Sequence, residues 1–212
     1  MEIYNFFTRN NIRKLFKIVK HPSQFWNYLR YFFQSLLVKS ITNNGNTHYR
    51  YLKEAYPEYL NSGNAVSFIA EKALQYCQGY GLDIGASIWS LPGAIPIQDE
   101  PDENAYSLNR FADNSLDFIF SSHCLEHLVH WKQAINLWIR KLKNGGILFL
   151  YLPHESMKLW RPGGLWVGNI HKWMPTVRIL LPYLSSCGLE IIEYNPERDE
   201  YYSFHIIAKK RG

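Results

Sequence analysis

Long apolar runs are missing. Although 47% of the 212 residues are hydrophobic, no stretch reaches the roughly 18 uninterrupted apolar residues of a helical membrane span. The hydrophobic content is instead enough for one substantial buried core with a small appendage. Cysteine is scarce: Cys77, Cys124 and Cys187 are odd in number and widely spaced. That excludes a disulfide framework or a zinc knuckle and points to buried thiols in a reducing compartment. A basic-then-apolar leader with a small-residue cleavage site is also absent, so a cytoplasmic protein is expected. Acidic residues are nearly lacking at the start. Residues 1–40 carry seven Lys/Arg against the single acid Glu2, a net +6, so the rest of the chain nets −1 within a total of +5. Cations are therefore confined to an N-terminal arm, and no basic stripe or binding module remains elsewhere to suggest a nucleic-acid partner.

That arm, to about Ile41, mixes aromatic and apolar residues among its cations and reads as two helices parted by Pro22, with Ser23 able to cap the second. Two uses are open: a helical cap packed on the main body, or a peripheral contact with an anionic membrane surface. The cap is favoured, because apolar stripes usually find core. Thr42 to Gly45 reads as a turn, and the Tyr-rich stretch Thr47 to Gly63 as a helix and loop closing over a pocket. The expected division is an arm over 1–63 and a main domain over 64–212.

The main domain is organised around Tyr80 to Ser87. Leu82 and Ile84 flank Asp83, and Gly85 follows at once, which describes a short buried strand ending in a turn that approaches something closely. Around it the expected order is a helix over Asn64–Gln78, strands over Ala94–Ile97, Ala105–Leu108 and Leu116–Phe120, and a helix over Trp131–Lys143. A strand over Ile147–Leu152, a helix over Pro175–Cys187, and strands over Leu189–Tyr194 and Tyr201–Lys209 complete it. This order indicates a mainly parallel, doubly wound α/β sheet of seven strands. His154 to Met174 interrupts the pattern with Trp160, Trp166, Trp173 and His171, in the place where such sheets carry specificity loops. A nicotinamide site is excluded. It needs Gly-x-Gly-x-x-Gly after the first strand, and Ser87-Ile88-Trp89-Ser90 supplies none of it.

Three blocks in this order resemble the class I S-adenosylmethionine-dependent methyltransferases of the ubiquinone and menaquinone methylase type: Gly81 to Ser87, Phe111 to Leu128, and Arg140 to Leu148 with its Gly145-Gly146 pair. The resemblance implies a Rossmann-like sheet and S-adenosyl-L-methionine as cofactor. Carried over position by position, it places Asp83 and Gly85 at the methionine part of the cofactor, with Ala86 and Ser87 beside them among the cofactor-binding residues. Gln98 or Asp99 falls where the ribose is held, Asn104 and Ala105 where the adenine is contacted, and Ser122 and His123 beside the methionine tail and sulfonium. Two departures stand out: Gly85-Ala86-Ser87 replaces the usual Gly-x-Gly, and Gln98 occupies the slot of the ribose acid. They leave room for a second reading, a non-catalytic member of the fold acting as a binding partner.

Methyl transfer from a sulfonium is an in-line displacement that mainly requires alignment and exclusion of water. A hydroxyl acceptor adds the need for a base, for which histidine suits neutral pH. His123, His127 and His171 are the expected candidates, with His154 a fourth. The acceptor class expected is a small molecule or saccharide, because aromatic faces suit planar and sugar rings. Some related ubiquinone O-methyltransferases and RNA 2′-hydroxyl methyltransferases hold a divalent ion with Glu-x-x-Glu-His; the resemblance puts His123 in the first Glu position, ahead of Glu126 and His127, so no metal ion is expected.

Overall fold

The computed structural model describes residues 22–43, 46–61, 63–86 and 88–212. The first of the two expected N-terminal helices, with most of the basic arm, lies outside these residues, as does Ser87. The second helix, α1, runs Pro22–Leu37 with Pro in the first turn, where its missing N–H costs nothing. It stops four residues before the expected end. The chain then turns into strand β1 (Val38–Asn43), which pairs antiparallel with β2 (Asn46–Tyr51), and β2 pairs with β3 (Glu54–Pro57). The cap is therefore part sheet, and the helix expected within Thr47–Gly63 is replaced by two strands and one short 3-10 turn over Glu58–Asn61. Val38, Ile41 and Thr42 are β-branched, and Thr47, Tyr49 and Tyr51 alternate along one strand face, which favours an extended chain.

In the main domain, helix α2 (Val66–Tyr76) leads into β4 (Gly81–Ile84), followed by β5 (Ile95–Ile97), β6 (Leu116–Ser122), helix α3 (Trp131–Lys141), β7 (Leu142–Pro153), helix α4 (Val177–Ser186), β8 (Leu189–Asn195) and β9 (Ser203–Lys210). The sheet order is β5-β4-β6-β7-β9-β8, parallel through β7 and antiparallel at β9 and β8. Among the described residues it has six strands rather than seven. The missing one is Ala105–Leu108. Asn104 accepts from the Tyr106 N–H and donates to the Glu100 carbonyl, curling the segment into a turn that retains only an Asn104–Ser107 bridge.

Period-two alternation divides the sheet's residues between two buried layers. Leu82, Ile84, Leu148, Leu150, Leu152, Phe204, Ile206 and Ala208 face α3 and α4, where Trp138 and Leu184 are fully buried. Phe118, Phe120, Phe149, Tyr151 and Ile207 face the other way, against Ile69 and Ala73 of α2 and Tyr56 of the cap sheet. The aromatic loop joins this second layer through Met157, Leu159 and Trp160. Trp166 packs edge-on against Tyr49 and Tyr56, while Trp173 stacks on Trp131. The three loop tryptophans are thus committed to holding loop, cap and core together.

Glu193 on β8 ties α2 to the sheet edge: it accepts from Lys72 at 2.6 Å and Tyr76 at 2.7 Å, and lies 3.1 Å from His205 Nε2. These partners, Lys72 first, hold its pKa down at about 2. A carboxylate with a lowered pKa stabilises the fold above its unfolded value and loses that contribution as pH falls through the folded value. Partial exposure reduces the interaction to about 1 kcal/mol. Glu193→Gln is expected to lower the melting temperature by about 2–4 °C at pH 7, with the gap to wild type closing as pH falls from about 4.5 towards 2; melts followed by circular dichroism at several pH values check both.

Candidate active site

β4 ends at the mouth of the parallel strands, and its last residues build the site. Asp83 points to the α2 side of the sheet, is 1% exposed, and accepts a hydrogen bond from the Leu91 N–H at 2.8 Å. Burial raises its pKa to about 6 against the lowering effect of that bond. Gly85 follows at φ +84°, a left-handed conformation that glycine adopts without penalty. A Cβ there would lie 2.4 Å from Cys124 Cβ and 2.5 Å from its Sγ. The Gly85 and Ala86 N–H groups both donate to the Ile97 carbonyl, at 2.9 and 3.2 Å, so the turn after β4 is stitched to the tip of β5. Gln98 and Asp99, the two residues next in line, are exposed at that tip.

A cavity of about 140 Å³ opens against this turn, lined by Gly63, Ala65, Val66, Asp83, Gly85, Ala86, Trp89, Ser122 and His123. Five of the ten expected cofactor-binding residues, Asp83, Gly85, Ala86, Ser122 and His123, line it; Gln98 and Asp99 lie outside the lining, and Ser87 lies outside the described residues. Asn104 and Ala105 do not line it. Asn104 uses its side-chain and backbone polar groups on its own turn, and the Ala105 carbonyl accepts from Trp138 Nε1 at 2.9 Å. Ala65, Val66 and Trp89 line the cavity without having been anticipated, because they come from the start of α2 and the loop after β4.

The residues fit the methionine end of S-adenosylmethionine. Asp83 offers a buried carboxylate, and Ser122 Oγ is buried without a hydrogen-bond partner among the described residues. Two acceptors in a dry wall match an ammonium group, and an orphaned hydroxyl there calls for a ligand partner. The exposed Asp99 carboxylate and Gln98 amide fit the ribose hydroxyls.

His123 has φ +49°. This is uncommon for a residue with a Cβ and is the kind of outlier found at functional turns. Its ring lies among Tyr151, Trp160 and Tyr201 at centroid distances of 5.6, 5.1 and 5.6 Å. Nε2 is 2.7 Å from Ser203 Oγ. Ser203 gives its own proton to the Tyr201 carbonyl at 3.1 Å, so Nε2–H donates to Ser203 and Nδ1 keeps the lone pair. Burial, then the neighbouring imidazoles of His171 and His127, pull the His123 pKa down to about 3. Of the three anticipated histidine bases, His123 alone lines the cavity. His127 and His171 converge behind it on Glu126, whose position was legible only as a neighbour of His127. His154 sits apart, against Ser156 and a separate cavity of about 370 Å³ that shares no lining residue with the first. That larger hollow holds neither Asp83 nor the Gly85 turn, so the smaller one is the active-site candidate.

The family model described as "Methyltransferase domain" matches residues 61–150, from just before α2 into β7. Among curated proteins no relative matches the sequence. Similar solved structures include an S-adenosylmethionine-dependent methyltransferase from Thermotoga maritima, at TM-score 0.56 and 13% identity over 73% of this chain and 92% of that one. Another, from Mesorhizobium loti, is similar at TM-score 0.52 and 13% identity over 71% and 100% of the two chains. A third, from Archaeoglobus fulgidus, gives TM-score 0.50 and 16% identity over 69% and 95%. At such identities these likenesses establish the fold. The domain match covers residues 61–150, and together with these likenesses it gives the chain the Rossmann-like fold of the S-adenosylmethionine-dependent methyltransferases.

Proposed function

We propose that the enzyme methylates a hydroxyl oxygen of a small-molecule or saccharide acceptor. The observation carrying this is His123, a neutral imidazole held in a left-handed turn on the wall of the cavity that also contains Asp83. When bound, S-adenosylmethionine supplies an activated methyl group on a sulfonium leaving group. Asp83 and Ser122 bind the amino-acid end, Ala86 and Gly85 let it approach the backbone, and Gln98 with Asp99 takes the ribose. Val66 and Trp89 shield the cavity from water. The His123 imidazole, fixed by its Nε2–H bond to Ser203, takes the acceptor's proton as the oxygen–methyl bond forms.

The test is a panel of phenolic, sugar and amine acceptors assayed by S-adenosylhomocysteine release. Turnover with a hydroxyl acceptor supports the reading; turnover confined to amines contradicts it. Cofactor binding without turnover of any acceptor would favour the non-catalytic binding protein. His123→Asn, which retains the left-handed preference, is expected to lower kcat by about 10²–10⁴-fold while leaving the KM for the cofactor near wild type.

A further inference from the structure

The cap uses one side of itself to hold the body and leaves the other bare. Inwards, Val38 and Tyr51 pack on the second buried layer, and Tyr49 and Tyr56 on Trp166. On α1, Arg30 packs its guanidinium against Gly163, leaving no room for a Cβ there, and Gln34 Oε1 is buried. That flank of the helix therefore also faces the body. Phe33, Leu36 and Leu37 lie about a quarter-turn further round and are 60%, 59% and 48% exposed. They form one patch, because residues three and four apart share a helix face.

A second apolar point stands beside that patch. The register pairs Val38 with Tyr51, so Leu37, just before Val38, and Leu52, just after Tyr51, leave the sheet at the same end. Leu52 opens the two-residue turn between β2 and β3, at φ +56° and 56% exposed. Such turns favour Asn-Gly, because a left-handed backbone strains a residue with a Cβ. A bulky aliphatic residue in that place gains nothing from water. The next pair in register sets Lys39 directly opposite Arg50, both exposed, a like-charge juxtaposition that is destabilising by itself. Lys53, in the turn, is exposed too. None of these three cations has a hydrogen-bond or ion-pair partner among the described residues. The neighbouring acid Glu54 is taken by Lys158 at 2.7 Å.

We propose that this end of the cap docks on a membrane surface bearing anionic phospholipids. Phe33, Leu36, Leu37 and Leu52 enter the boundary between headgroups and acyl chains, while Lys39, Arg50 and Lys53 meet the lipid phosphates. The charge complementarity extends beyond the cap. Residues 1–21 carry Arg9, Arg13, Lys14, Lys17 and Lys20 against Glu2 alone, and they join the cap at α1. No helix among the described residues is long and apolar enough to cross a membrane, so the contact is peripheral. A nucleic acid would use the cations but not the aliphatic residues, which neither stack on bases nor pair with phosphate. The two uses open to the arm in the sequence are thus compatible: the inner face packs on the body, and the outer end meets the bilayer.

The test mixes the full chain with vesicles of phosphatidylcholine, alone or with phosphatidylglycerol, sediments them, and measures protein in each fraction at low and high salt. Wild type is expected to sediment with the anionic vesicles only and to be released by salt. Lys39→Glu/Arg50→Glu is expected to weaken binding at least about tenfold. Leu52→Gly relieves the left-handed turn, so it is expected to melt no lower than wild type and yet to bind at least about fivefold more weakly. Circular-dichroism melts check that both variants fold. Wild type left in the supernatant with both kinds of vesicle would overturn the proposal. So would either variant binding as tightly as wild type, which assigns the contact to residues 1–21, or a preference for single-stranded RNA over anionic vesicles, which assigns the face to nucleic acid.

Discussion

Asp83→Asn is expected to weaken cofactor binding by about 30- to 1000-fold while raising the stability of the ligand-free protein. Both effects come from burial. The folded pKa of about 6 lies above the roughly 3.9 of an unfolded aspartate. The folded state therefore binds the proton more tightly, and stability is lost as pH rises from about 4 through 6. The penalty is fully present at neutral pH and amounts to about 2–3 kcal/mol. Asparagine removes it while keeping an oxygen for the Leu91 N–H, so the melting temperature of the free protein at pH 7.5 should rise by a few degrees. The cofactor's ammonium group is what compensates the charge in the complex, and deleting one partner of such a buried pair costs about 2–5 kcal/mol.

The same carboxylate sets a pH dependence. The Cys77 and Cys124 thiols near it are pushed up to about 12 by burial, and His123 is neutral above about 3. Asp83 thus titrates alone in its pocket near pH 6. Cofactor affinity should be flat above pH 7 and about tenfold weaker at pH 5. Calorimetric titrations across that range measure this directly; an unchanged affinity at pH 5 would remove the ammonium–carboxylate contact from the account.

Gly85→Ala carries the second large effect. The backbone at φ +84° costs a residue with a Cβ about 1–2 kcal/mol, and displacing the Cys124 side chain adds about 1–3 kcal/mol of overpacking. Together they are expected to lower the melting temperature by roughly 5–10 °C and to abolish cofactor retention, since the Gly85 and Ala86 N–H bonds to Ile97 align the cavity wall. The two causes are separable. In the Gly85→Ala/Cys124→Gly double variant, the packing share should be recovered and the backbone share should remain. Full recovery would show that the left-handed turn itself is unimportant.

Those two positions were the easiest to find. Asp83-Ile84-Gly85 is a local signal, because a buried strand ending in an acid and a glycine has few alternative meanings once the helix before it and the strands after it are in order. β7 was equally legible: with both faces covered, Ile147 to Leu152 is apolar at every position. What failed was decided by local polar competition or by distance. Ala105–Leu108 has the apolar residues of a strand, yet the Asn104 side chain bonds nearby backbone groups and makes a turn instead. The cap strands β1 to β3 were concealed because aromatic residues in short segments satisfy helical and extended patterns alike, and the alternation of Thr47, Tyr49 and Tyr51 was the available clue. The loop tryptophans read as an acceptor surface and proved to be packing elements. His123 and Glu126 fell within the quoted motif, but nothing in their spacing revealed that one would line the cavity and the other would sit bare beneath three imidazoles.

The central claim is that the turn following Ile84 receives the amino-acid end of the methyl donor. Isothermal titration of the full chain with S-adenosylhomocysteine at pH 7.5, run beside Asp83→Asn, tests it most directly. One site of micromolar affinity in wild type and a loss of at least about 30-fold in the variant are the result expected. Equal binding by both proteins, or no heat from either, would contradict it.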